Sequence, residues 1–241
     1  MLLKLDDPKL LSEIIAIISD LVTEVRLKVD KEGMSMVAID PANVALTSFS
    51  LPRAAFSQFE ADQETLGISL ENLKAVLKRC TSSSSLLMRR EDNLLHIEIQ
   101  DKIKRTFTLA LIDIEAEEKA IPNLNFAGKV EINSYDLSDA VEDCAIVADS
   151  CSFSLADGKF VIEAKGLNSA RSEFSSDEAV IGGTGKSRYS LEYLQKFNKA
   201  AKLSEKTLIS FGDDYPLKIE YKDAKRALMF ILAPRVETGN Y

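Results

Sequence analysis

The spacing of apolar residues changes several times along the first half of the chain, and each change marks an element. Leu10, Leu11, Ile14, Ile15, Ile18 and Leu21 recur at helical spacing behind Asp7-Pro8, a capping residue followed by one suited to the first helical position. This predicts a helix to about Asp20. From Glu24 the period becomes two, with Val25, Leu27 and Val29 alternating against Arg26, Lys28 and Asp30. After a turn at Lys31-Glu32-Gly33, Met34, Met36 and Ala38 alternate again, so the stretch reads as a hairpin. A loop at Asp40-Pro41-Ala42-Asn43 leads to another strand ending near Leu51. Ser69 is expected to cap a second helix, LENLKAVLKR, whose apolar side is Leu70, Leu73, Val76 and Leu77. Three strands follow, LLMRRED, NLLHIEIQD and RTFTLALID, and His96 takes an ordinary strand position in the second.

The same order of elements then comes again. Ser134 is expected to cap YDLSDAVEDCAIVA, with Leu137, Ala140, Val141 and Cys144 on one side, and a hairpin with its turn at Asp157-Gly158 follows. YSLEYLQKF answers ISLENLKAV, and the strands around YPLKIEYKD answer those around NLLHIEIQD. Leu11-Ser12-Glu13 against Leu137-Ser138-Asp139 sets an offset of about 126 residues. Both halves read as helix, strands, helix, strands, with amphipathic helices on one side of an antiparallel sheet. The expected fold class is therefore α+β, with two similar domains at 1–114 and 130–241. Residues 115–129 join them as a connector, acidic at first, in which Pro122 withholds a ladder donor. The polar faces of all four helices are expected to line one common surface.

At 241 residues and 46% hydrophobic content the chain can fill two such cores. No apolar run approaches the roughly 20 residues needed to span a bilayer, and the N-terminus does not resemble a signal peptide, so a cytoplasmic protein is expected. Three cysteines, Cys80, Cys144 and Cys151, and one histidine offer neither a disulfide framework nor a zinc ligand set, and no metal is expected. A net charge of −8 argues against broad nucleic-acid affinity unless the 30 basic residues are sorted onto one surface.

Gly182-Gly183-Thr184-Gly185-Lys186-Ser187 imitates the end of a phosphate-binding loop, with Leu109 to Asp113 as a candidate acidic strand. The motif needs Gly at position 180, where the chain has Val180, and a helix directly at its Lys-Ser, where Arg188-Tyr189 intervenes. A single histidine and no paired carboxylates leave acid–base catalysis without candidates, so no enzyme is expected.

With the motifs AIDPANVALTSFSLP, the connector around Ile121-Pro122, YPLKIEY and LAPRVE, essentially the whole chain resembles the DNA sliding clamps of the proliferating cell nuclear antigen family, in their archaeal form by length. That resemblance implies a ring of three chains, identical or related, through which duplex DNA passes. It also implies DNA polymerase, a clamp loader and other enzymes as partners, and no cofactor. It places the subunit interface at Thr106, Phe107, Thr108, Leu109, Ala110 and Leu111 of one chain and Ser172, Glu173, Phe174, Ser175 and Ser176 of the next. A pocket for a partner peptide's aliphatic and aromatic plug is implied at Ile39, Val44, Leu46, Ile121, Pro122, Pro216, Ile231, Ala233, Pro234 and Arg235.

Within that frame Lys74, Lys78, Arg79, Lys196, Lys199 and Lys202 of the second and fourth helices would face DNA, with Lys9 and the loop cations Lys102, Lys104 and Arg105. Spaced three or four apart, such cations track phosphates without reading bases. The third helix breaks the pattern with Asp136, Asp139, Glu142 and Asp143. Two readings answer it: DNA contact weak and one-sided, or a heterotrimer whose other subunits supply charge. An interaction scaffold with little DNA contact is the alternative function.

Overall fold

A computed structural model describes residues 1–114 and 119–235. The chain packs as two units. The first holds Met1–Pro41, Thr47–Ile121 and Asp223–Leu228, and the second holds Ala42–Leu46, Pro122–Lys222 and Met229–Tyr241.

Chain order in the first half is β1 (Leu2–Leu5), α1 (Lys9–Ile18), β2 (Glu24–Asp30), β3 (Gly33–Ile39), β4 (Ala45–Pro52), β5 (Gln58–Glu60), β6 (Glu64–Ser69), α2 (Leu70–Leu77), β7 (Ser85–Glu91), β8 (Leu94–Gln100) and β9 (Lys104–Ala110). The second half has β10 (Gly128–Asn133), α3 (Ser134–Ala145), β11 (Ser150–Ala156), β12 (Lys159–Lys165), β13 (Ser169–Phe174), β14 (Ala179–Gly183), β15 (Gly185–Ser190), α4 (Leu191–Asn198), β16 (Lys206–Phe211), β17 (Leu217–Lys222) and β18 (Ala227–Leu232). The first unit contains the antiparallel run β5-β1-β7-β8-β9 and the run β4-β3-β2-β6. The second contains β13-β12-β11-β15 and β14-β10-β16-β17-β18. Among the described residues no helix is long and apolar enough to cross a membrane.

Local chemistry explains most of the boundaries. Asp7 Oδ1 accepts from Lys9 N–H at 3.2 Å, and Pro8 already has helical angles, so α1 starts where its cap and proline direct. Ser69 caps α2 by accepting from Asn72 N–H at 3.5 Å. The cap of α3 is a correction. Asn133, not Ser134, supplies it, its Oδ1 accepting from Tyr135 N–H at 2.9 Å. Ser134 is the first helical residue, and its buried hydroxyl shares a 2.6 Å hydrogen bond with Thr207. Both α2 and α3 also end short of the expected 79 and 148, because Lys78 and Ile146 carry the C-cap backbone and tighter turns follow.

The duplicated halves fill their cores differently. The first unit is lined by aliphatic side chains such as Leu11, Ile14, Ile15, Leu27, Ile97 and Ile99, all at most 2% exposed. In the second, Phe153 meets Phe160, Tyr189 and Phe211 edge-on at centroid distances of 5.5, 5.4 and 6.1 Å, and Phe197 stacks on Phe230 at 4.3 Å.

Gly67 allows the connector to leave the first unit. Ile112 N–H donates to Gly67 O at 3.0 Å, the Arg26 guanidinium donates to Ile114 O, and a Cβ on Gly67 would lie 2.0 Å from Ile112 O. Gly67→Ala is expected to displace this segment and lower unfolding stability by about 1–3 kcal/mol. Urea unfolding of the native chain and the variant reads it directly, and an unchanged midpoint would refute the role given to Gly67.

Candidate DNA-facing, subunit and peptide surfaces

The helices of each unit lie in pairs, α1 beside α2 and α3 beside α4. Their cations differ in what holds them. Lys74 donates to Ser19 Oγ at 2.7 Å and lies 3.6 Å from Asp20, so a helix neighbour already holds its charge. Lys196 pairs with Glu192 at 2.7 Å and sits over the Tyr193 ring at 5.1 Å. Lys9, Lys78, Arg79, Lys199 and Lys202 are exposed. Among the described residues, Lys78, Arg79 and Lys202 have no ion pair within 4.0 Å.

The loop cations divide in the same way. Lys102 is exposed, Lys104 pairs with Glu98 at 2.7 Å, and Arg105 holds Asp101 at 3.0 Å. The Arg105 hydrogen bond, reinforced by Ser84 and the Ile103 N–H, keeps the Asp101 carboxyl below its usual range. Burial and the charge of Asp101 push the nearby Cys80 thiol up to about 11.

On α3 the exposed face reads Tyr135, Asp136, Asp139, Glu142, Asp143 and Ile146. Glu142 accepts from Gln195 at 2.9 Å. For the others the spacing of three and four builds one continuous acidic face, bordered by an exposed tyrosine and an exposed isoleucine.

Thr106 to Ala110 lie in β9, which ends one sheet order, and Ser172 to Phe174 lie in β13, which ends another. Thr106, Thr108 and Ala110 alternate as exposed against the half-buried Phe107 and Leu109. Three interface expectations fall outside these strands. Leu111 follows the end of β9 and is buried, and Ser175 and Ser176 form the turn after β13, where Glu178 caps Ser175. Two other edges, β6 and β15, are covered. Ile112 lies against β6, and Arg235 N–H donates to Arg188 O on β15 at 2.7 Å.

Several of the residues expected at a peptide site meet in the second unit. Val44, Leu232, Ala233, Pro234 and Arg235 line a cavity of about 320 Å³ together with Asp149, Ser190, Glu192 and Tyr193. Ala233 N–H donates to Val44 O at 2.9 Å, which joins the two segments. Leu46 and Ile231 are buried, each 7% exposed, and belong to the packing behind such a surface. Ile39 is half-buried at the end of β3, Pro216 is half-buried before β17, and Ile121 and Pro122 are exposed. Further along the connector, Phe126 packs edge-on against Tyr215 at 5.8 Å beneath the Lys218 ammonium. Tyr193, Glu192 and Asp149 were missed by sequence reasoning. Tyr193 was readable as an off-face aromatic on the first turn of α4, but nothing local to Asp149 signals its place.

The glycine segment is not a phosphate cradle. Lys186 and Ser187 lie in β15, Lys186 N–H donates to Asp213 at 2.8 Å, and Thr184 N–H donates to Ala127 O at 3.4 Å. Gly183, at φ +82°, approaches Ala127 so closely that a Cβ would stand 1.9 Å from its carbonyl oxygen.

Residues 1–119 match the model of the proliferating cell nuclear antigen N-terminal domain, and residues 120–236 match that of its C-terminal domain. The chain is 35% identical over 242 residues to the DNA polymerase sliding clamp of Thermococcus onnurineus, covering 96% of this chain and 97% of the relative. Solved structures give the same picture. Proliferating cell nuclear antigen from Thermococcus kodakaraensis superimposes with a TM-score of 0.90 at 27% identity, over 97% of this chain and 99% of that one. A chain of the PCNA2-PCNA3 complex from Sulfolobus tokodaii does so with a TM-score of 0.89 at 27% identity, over 98% and 99%. The duplicated α+β architecture and the full-length similarity coincide, and the chain belongs to the proliferating cell nuclear antigen family.

Proposed function

We propose that this chain is a DNA sliding clamp whose copies close head to tail into a three-membered ring around duplex DNA. It tethers DNA polymerase and other replication enzymes by topology and catalyses nothing itself. A tethered enzyme that releases its template stays beside it, at an effective concentration set by the tether.

The observation that carries the ring is the pair of unlike edges within one chain. In the first unit α2, with Lys78 and Arg79, packs on β9. In the second, α3, with Asp136, Asp139 and Asp143, packs on β13. A basic edge and an acidic edge on the same molecule fit a heterologous contact that repeats, and strand pairing satisfies the open backbone groups of both. On this reading the acidity of the third helix serves the next subunit rather than DNA. Because one chain carries both edges, identical copies suffice. The PCNA2-PCNA3 complex from Sulfolobus tokodaii keeps a mixed ring as the second reading.

Contact with DNA then falls chiefly to Lys199 and Lys202 of the α4 end, together with Lys9. The peptide site is the cavity in which Val44, Leu232, Ala233 and Pro234 offer an apolar wall to a plug, with Asp149, Glu192 and Arg235 as its charged side.

Light scattering after size exclusion tests the ring. A mass of three chains supports it, and a single-chain mass at every concentration and at low salt overturns the identical-copy ring. On a circular primed template, Lys199→Glu with Lys202→Glu should shorten clamp retention while leaving that mass unchanged. The salt slope of DNA binding should flatten by about 0.9 per lost phosphate contact. Unchanged retention would remove these two lysines from the DNA-facing set.

A further inference from the structure

Each unit folds a terminal segment back over the strand that precedes its second helix. In the first, Ile112 donates to Gly67 O and an arginine side chain secures Ile114. In the second, Arg235 N–H donates to Arg188 O at 2.7 Å, and its guanidinium Nη1 lies 2.9 Å from Asp149 Oδ2 and 3.5 Å from Asp149 O. Asp149 is itself fixed, since its carbonyl also accepts from Leu191 N–H at 3.0 Å, at the first residue of α4. Both ends of this ion pair line the cavity that Ala233 and Pro234 wall.

Pro234 has no N–H to donate, and Ala233 N–H to Val44 O and Arg235 N–H to Arg188 O hold the segment on either side of it. The Arg235–Asp149 ion pair follows directly after Pro234, next to the two residues that wall the cavity. Ordering a wall before binding removes an entropic cost from binding.

We propose that Asp149 is a positioning residue for the partner-peptide site, latching Arg235 so that Ala233 and Pro234 stand ready as a wall of the cavity. The proposal rests on the cavity being the peptide site. Asp149 acts through Arg235, whose guanidinium in turn keeps the Asp149 carboxyl below its usual range.

The test is fluorescence anisotropy of a labelled peptide with one aliphatic and two aromatic residues on a short helix, titrated with the full chain at low salt. Asp149→Asn should weaken binding about two- to fivefold, the range of a partly exposed ion pair, with an unchanged melting temperature. The charge swap Asp149→Arg with Arg235→Asp should restore it, which a general structural defect at position 149 would not allow. In about 1 M salt, where screening shortens to about 3 Å, the native chain and Asp149→Asn should converge. Native affinity in Asp149→Asn, or a charge swap as weak as the single variant, overturns the latch and leaves the peptide site standing. A native chain that does not bind the peptide, or that binds it undiminished by Pro234→Asp, overturns the site itself.

Discussion

A chain carrying Asp139→Lys and Asp143→Lys is expected to elute as a single chain under conditions where the native protein has the mass of three, and to lose processive synthesis with its polymerase. The two side chains occupy successive turns of the exposed face of α3, beside the open edge strand β13. In the ring proposed above, reversal would set lysines against Lys78 and Arg79 of the neighbouring copy, and like charges facing one another across an interface cost several kcal/mol. The loss would act at every contact of a closed ring. Adding Lys78→Asp and Arg79→Asp to the same chain inverts both edges and should recover the larger mass. Raising salt should weaken the native ring and favour the reversed chain relative to it, because both effects are screened. A reversed chain that keeps the mass of three would show that the acidic helix lies away from the subunit contact, and its charge would again need explaining.

Phe153→Ala is expected to cost about 3–5 kcal/mol of unfolding free energy, the range for truncating a fully buried phenylalanine. Phe153 is 0% exposed and joins Phe160, Tyr189 and Phe211 in one aromatic cluster, so its removal leaves a cavity that three rigid rings cannot fill. The melting temperature should fall by roughly 6–20 °C. A smaller truncation in the first unit, Ile97→Val, should cost only about 0.5–1.5 kcal/mol. Differential scanning calorimetry separates the two, and a Phe153→Ala chain melting within a degree or two of the native one would mean that the cluster collapses onto the gap.

Apolar periodicity alone was enough to place the four helices, the two hairpins and the internal duplication, because burying one face of an amphipathic element imposes a spacing on its own residues. Leu10 to Ile18 and Val25 to Val29 carry that spacing whatever they pack against. Caps were readable where the capping side chain bonds its own helix, as Asp7 and Ser69 do. Ser134 failed because Thr207, 73 residues away, claims its hydroxyl, and Asn133 takes its place. The glycines of residues 182–185 carried no local sign of their purpose, since the atom that excludes a side chain at Gly183 is the carbonyl of Ala127.

The same limit applied to the surfaces. The resemblance supplied Val44, Ala233 and Pro234 as peptide-site residues, and residue types identified the cations. Only the fold put Asp149 against Arg235, 86 residues apart in sequence. Only the fold separated Lys74, held by Ser19 and Asp20, from Lys78 and Arg79. It also set the acidic face of α3 beside β13 and the basic end of α2 beside β9. The sequence by itself determined which faces are apolar and that the chain is built twice. Tertiary packing decided which charges are already paired, which edges stay open and which distant residues share a cavity, because these depend on distances across the fold that no local spacing encodes.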